Sequence, residues 1–143
     1  MRFVGRVFKA GQYWSIEVPI LSVVTQGRTK KEAYEMIADA IELLVNKEEF
    51  KVEVFPRKGE LFEIGSSDLA TLSAFLLRRQ RMKRGLTLAE VAKRMGAKSH
   101  NTYARYEQGK SIPTIEKFSQ LLSALSPDID FVLMESQQHR SLG

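Results

Sequence analysis

Cysteine is absent from all 143 residues, which removes disulfides, thiolate zinc sites and cysteine nucleophiles together. Histidine is nearly absent, and His100 and His139 both fall in the second half of the chain. A serine-histidine pair or a histidine metal site in the first half therefore has no material. Long apolar runs are missing too, and none approaches the ~20 residues that span a bilayer. Residues 1–8 carry Arg2 and Arg6 without the continuous apolar core and small residues of a secretory signal. These absences predict a soluble cytoplasmic protein that is not inserted in a membrane and holds no metal or other cofactor.

What is present is the ordinary composition of a globular chain, 43% hydrophobic and 27% charged. The length suits one medium domain or two small ones. The net charge of +5 is distributed unevenly. Residues 1–67 hold 10 Lys/Arg against 10 Asp/Glu, residues 68–127 hold 11 against 4, and residues 128–143 hold 1 against 3. The positive excess is thus confined to the middle block, as expected of a segment that displaces counterions from a phosphate backbone. The alternative is a solvated basic helix face.

The first half alternates as a half-buried sheet does. Residues 2–9 read as a strand, Ala10, Gly11 and Gln12 as a turn, and Trp14, Ile16 and Val18 as the inward face of a second strand. Residues 22–26 form a third. Thr29 followed by Glu32 makes a capping box for a helix to about Asn46, with Ala33, Ile37, Ala40, Ile41 and Leu44 as its packing stripe. Phe50, Val52 and Val54 give a fourth strand, residues 56–59 a turn, and residues 61–64 a short fifth strand.

Gly65, Ser66 and Ser67 read as a linker, after which strand spacing gives way to helical spacing. Asp68 is placed to cap a helix whose apolar positions are Leu69, Leu72, Phe75 and Leu76, and whose end carries Arg78, Arg79, Arg81, Lys83 and Arg84 before Gly85. Thr87 and Glu90 make a second capping box, with Leu88, Val91, Ala92 and Met95 inward and Gly96 as terminator. Ser99 caps a third helix through Glu107, stopped by Gly109. A fourth begins after Pro113, with Ile115, Phe118, Leu121, Leu122 and Leu125 as its stripe.

Leu86-Thr87, Glu90-Val91-Ala92, Met95-Gly96, Tyr106-Glu107-Gln108-Gly109-Lys110 and Pro113-Thr114 together resemble the phage-repressor (XRE-type) helix-turn-helix over about sixty residues. The turn holds Ala97 and Lys98 where one residue is common, and Gln80 and Leu88 depart from the family's usual apolar residue and glutamine. The resemblance implies that the third helix of this half enters the major groove of double-stranded DNA. On that alignment His100, Asn101 and Arg105 read bases, with Asn suited to adenine and Arg to guanine. Lys98, Ser99, Thr102 and Lys110 complete the DNA-binding set, Lys98 as a phosphate contact, while Tyr103 and Tyr106 face the core. Paired half-sites imply a homodimer or higher homo-oligomer.

The first 55 or so residues, with Val18-Pro19, Thr25-Gln26-Gly27-Arg28-Thr29, Glu32-Ala33 and the helix that follows, resemble the HicB antitoxin domain, a small partial RNase H-like fold. The same string also makes local sense as a turn and capping box. The resemblance implies an α+β architecture, with a small sheet-plus-helix toxin-binding domain over residues 1–66. An all-α helix-turn-helix over 67–127 follows, then a strand-like segment and tail over 128–143. It further implies an antitoxin that blocks a HicA-type mRNA-cleaving toxin and represses the shared operon at its operator. Val18, Pro19, Ile20 and Leu21 are the candidate partner-binding residues, because alternation breaks there and Pro19 cannot donate to a ladder; alternatively Ile20 and Leu21 close the core. No converging carboxylates are visible, since Glu17 is isolated and Asp39 and Glu42 lie on the solvent side of a helix, so no catalysis is expected. The competing reading is a stand-alone transcriptional repressor whose first domain senses a ligand or partner.

Overall fold

The computed structural model describes residues 1–137. In chain order it contains β1 (Phe3–Ala10), β2 (Tyr13–Val18), β3 (Val23–Gly27), α1 (Lys30–Val45), β4 (Glu53–Pro56) and β5 (Leu61–Gly65), then α2 (Leu69–Lys83), α3 (Leu88–Arg94), α4 (His100–Glu107) and α5 (Ile115–Leu125). It is an α+β protein with two compact units, residues 1–69 with Gln137 and residues 70–136. Gly65 does not open a linker. It ends β5 as the ladder partner of Glu53. None of the helices among the described residues is long and apolar enough to cross a membrane.

The first unit is a five-stranded antiparallel sheet in the order β3-β2-β1-β5-β4. After β2 the chain makes a single 3-10 turn at Pro19–Leu21, closed by Ser22 in the left-handed region with its N–H donating to the Pro19 carbonyl. That turn is why the third strand starts at Val23 and not at Ser22. Val7, Ile16, Val18, Phe62 and Ile64 of the sheet, with Leu21 of the turn, are fully buried beside Ala33, Ile37 and Ile41 of α1. Each such aliphatic or aromatic side chain contributes about 1.5–3 kcal/mol. Tyr34, absent from the expected stripe, is also buried, meeting the Phe62 ring edge-on at 5.7 Å. Leu44 is exposed instead, in the last turn before Asn46 turns the chain left-handed.

Two further expectations fail here. Residues 50–52 are not part of a strand, and β4 begins only at Glu53. Glu49 is left-handed, and the Val52 amide donates to the Glu42 carboxylate at 3.1 Å, so the alternation of Phe50 and Val52 arises in a loop. Phe50 and Val54 remain buried, but so does Phe55, which strict alternation would have turned to water.

Half of the capping box expected at α1 is present, the Thr29 hydroxyl accepting from the Glu32 amide at 3.0 Å. Gly27 explains the string around it. A Cβ at that position would lie 2.5 Å from the Ala33 amide nitrogen, so only glycine lets β3 approach the first turn of α1 this closely. On the other face of the sheet, cross-strand partners align Leu61, Arg6, Glu17 and Val24 in one row across four strands. Leu61 and Val24 are exposed, and Arg6 pairs with Glu60 and, at longer range, Glu17. Near this row Glu63 is buried, held by Arg2 at 3.1 Å and Arg57 at 3.5 Å. Arg2 also lies over the Phe55 ring, and both arginines donate to the Gln137 carbonyl.

Helices are the regular elements of the second unit among the described residues. Leu72, Leu77, Val91, Tyr103, Leu121 and Leu125 are its most buried side chains. Leu69 and Ile115, both assigned inward by periodicity, are exposed. Residues 129–137 form neither helix nor strand, so the apolar run from Phe131 to Met134 is not a strand of either unit. The rest of the expected tail, 138–143 with His139, lies outside the described residues.

Candidate nucleic-acid interface

The helix pair that could face DNA is shaped by its caps. Thr87 accepts from the Glu90 amide while the Glu90 carboxylate accepts from the Thr87 amide, the reciprocal box that fixes the start of α3. Gly96 follows with a positive φ of 71°, the conformation that turns the chain sharply after a helix. Ala97 and Lys98 then lead to Ser99, whose hydroxyl accepts from the Asn101 amide at 3.2 Å and starts α4. The extra turn residue is thus accommodated between two intact caps.

Helix α4 is anchored from both sides. Tyr103 and Ala104 are buried, and the Tyr103 hydroxyl donates to the Leu77 carbonyl of α2 at 3.5 Å. Burial, and then the Glu107 carboxylate, hold that phenol neutral far above its ordinary range. At the far end Arg81 of α2 grips Glu107 with two nitrogens, at 2.7 and 2.9 Å, while its third nitrogen donates to the Leu86 carbonyl at 2.8 Å. Hydrogen bonding to Glu107 raises the guanidinium above its already high pKa, so Arg81 stays charged. Sequence reading placed Arg81 in a general basic run. The only signal for its role was its distance from Glu107, which no local pattern encodes.

With that inner side fixed, the outer side follows from a 100° step per residue. Asn101, Thr102 and Arg105 form one exposed stripe. Arg105 donates from Nε to the Ser111 hydroxyl at 3.3 Å, which steadies the side chain and leaves its two terminal nitrogens for a ligand. Lys98, Ser99 and Lys110 are also exposed. His100 is exposed but stands off the stripe, on the side that lines an open groove with Ala89, Ala92, Lys93, Gly96, Ala97, Lys98 and Ser99. Lys93, not among the expected site residues, joins Lys98 at this groove. The groove therefore presents two lysines beside the N-terminus of α4, a setting suited to a phosphate rather than a base edge.

The expected partner-binding residues divide differently. Val18 and Leu21 are fully buried and offer no surface, because the 3-10 turn tucks Leu21 under the sheet. Pro19 is exposed and Ile20 half-buried. The core-closing alternative therefore holds for Leu21.

Residues 77–130 match the helix-turn-helix family model HTH_3. The match begins inside α2 and ends beyond α5, so it takes in the capped pair, the turn and the Arg81–Glu107 link. No curated protein matches the chain. The helix-turn-helix supports binding of double-stranded DNA and a role in transcription regulation.

Proposed function

We propose that this protein is a repressor that binds the operator of its own operon, and that its first unit is a HicB-like antitoxin domain that blocks a HicA-type mRNA-cleaving toxin by direct contact. The observation that carries the DNA reading is the exposed stripe Asn101, Thr102 and Arg105 on a helix whose opposite side is pinned by Tyr103 and Glu107. Rigid placement of a few polar side chains is what base recognition in the major groove requires. Lys98, Lys93 and Lys110 hold the backbone, Asn101 and Arg105 read bases, and His100 belongs with the groove at the helix start.

The antitoxin reading rests on the resemblance of the first 55 residues and on the shape of their sheet. One face is covered by α1, while the other carries the row Leu61, Arg6, Glu17 and Val24, apolar at its ends and charged in its middle. Such a mixed surface suits a protein partner better than an apolar small molecule. The domain contributes no catalytic step. Glu17 faces Arg6, and Glu42 is engaged by Lys51 and the Val52 amide.

One full-length double variant separates the two roles. N101A/R105A should lose binding to the DNA upstream of its own reading frame, read by fluorescence anisotropy. It should still copurify with the neighbouring small basic protein and relieve that protein's growth inhibition. Rescue that fails together with DNA binding would mean that repression alone protects the cell, and the antitoxin domain would have to be abandoned.

A further inference from the structure

Residues 1–67 balance their charge in number but not in place. Of their ten lysines and arginines, Arg2, Arg6, Lys47, Lys51 and Arg57 each pair with a carboxylate. The other five, Lys9, Arg28, Lys30, Lys31 and Lys58, form no ion pair with any described residue. These five gather at one end of the sheet. Lys9 lies at the end of β1, Arg28 directly follows β3, Lys30 and Lys31 open α1, and Lys58 sits in the turn between β4 and β5. Because β5 runs antiparallel to β1, that turn stands at the end toward which β1 runs. The Lys30 ammonium ties the two sides together by donating to the Gly59 carbonyl at 3.4 Å. Acids at this end do little to offset the cations, since Glu60 is taken by Arg6 and Glu32 is one carboxylate in the first turn of α1.

Trp14 stands among these cations. The ladder sets it opposite Lys9 on one side and Gly27 on the other. The Lys9 and Lys30 ammonium groups lie 5.5 and 5.8 Å from the centre of its half-buried ring. A lysine over an indole near water is weakly held. Either one can swing from the ring to a phosphate and leave the ring face to a base. We propose that this end of the sheet unit binds single-stranded nucleic acid, with phosphates on the unpaired cations and a base stacked on Trp14. From Arg28 beside β3 to Lys58 beside β5 the cluster crosses three strand spacings, about 14 Å, a width suited to a chain of phosphates rather than one anion. An acidic peptide would satisfy the cations but brings nothing flat to the indole, and a duplex keeps its base faces stacked inside, whereas a single strand can splay a base out. None of these residues belongs to the set assigned to the operator or to the row Leu61, Arg6, Glu17 and Val24. The site therefore stands whether or not the operator and toxin readings do.

The test uses the full chain and a signal local to the site. Trp14 is the only tryptophan, so its emission reports this end of the sheet and not the helix-turn-helix. Titration with oligouridine of about twelve nucleotides should quench it, and oligothymidine in parallel tells whether the 2′-hydroxyl contributes. The affinity should fall with salt at a log–log slope of about −2 to −3.5, as three to five phosphate contacts on a single strand require. K9Q/K31Q removes two cations that bond to no other side chain or backbone group of the described chain, so the fold is spared. It should weaken oligouridine by about tenfold at 0.15 M salt and make the slope shallower by about 1.4. N101A/R105A should be quenched as the parent chain is, which keeps the result apart from the DNA reading. Emission that ignores both oligomers, or quenching that survives K9Q/K31Q unchanged or is lost in N101A/R105A, would overturn the proposal. A stronger response to random duplex or to polyglutamate than to either oligomer would overturn it too, and would name a duplex or an acidic peptide as the occupant.

Discussion

Each unit buries one glutamate against arginine, and the two sites use that chemistry for different ends. In the sheet unit Glu63 is shared by Arg2 and Arg57, at 3.1 and 3.5 Å, from two separate stretches of chain. Both arginines are partly open to water and can relax if the glutamate is lost. In the helical unit Arg81 holds Glu107 in a fork at 2.7 and 2.9 Å, and the same guanidinium satisfies the Leu86 carbonyl. A distributed pair tolerates change, while a single fork concentrates three bonds in one side chain. The second design fits a unit whose task is to hold one short helix in a fixed pose.

The largest effect expected from this contrast is that of R81A. It leaves the Glu107 carboxylate buried without its counterion, which costs about 3–5 kcal/mol and should unfold the helical unit first. Trp14, the only tryptophan, lies in the sheet unit, so its fluorescence should report an unchanged transition while the helical circular dichroism is lost early. Coincident shifts of both signals would show that the units do not respond separately. The mirror experiment is G27A, where the new methyl strikes backbone at the start of α1 and costs about 3 kcal/mol. Here Trp14 should move and DNA binding at low temperature should not.

Smaller effects sharpen the contrast on the DNA side. N101A and R105A should each weaken operator binding by about 1–3 kcal/mol and barely alter binding to random duplex. Unchanged base preferences after loss of Arg105 would reassign that side chain to a phosphate. The smallest pair is T29A and T87A, each removing one helix cap at about 1 kcal/mol. T87A should lower operator affinity as well as stability, because α3 supports α4, whereas T29A should change stability only. Equal effects on DNA binding from both variants would contradict the division of labour.

Much of this was legible in the residues. Caps are local chemistry, so Thr29, Thr87 and Ser99 announced three helix starts correctly. Alternation placed Ile16 and Val18, and the basic block pointed to the helical unit. What failed required knowledge of distant neighbours. Ile115 reads as inward by spacing but is exposed, and the choice between edge and core left open at Leu21 is decided for the core by a 3-10 turn. The Arg81–Glu107 fork spans 26 positions and could not be seen in any window. The stripe of α4 was recovered, yet the helical wheel moved His100 off it, a distinction that depends on which side Tyr103 and Ala104 bury.

The fork at Arg81 has a consequence for how the protein breathes. It ties the end of α2, the entry to α3 and the last turn of α4 through one group, so none of the three can open without disturbing the others. Amide hydrogens in these segments should therefore exchange with solvent at a common rate, as one cooperative block. An eight-residue helix by itself would fray and exchange within its own turn. The stability of α4 is in this sense borrowed from α2, and whatever loosens α2 loosens α4 with it.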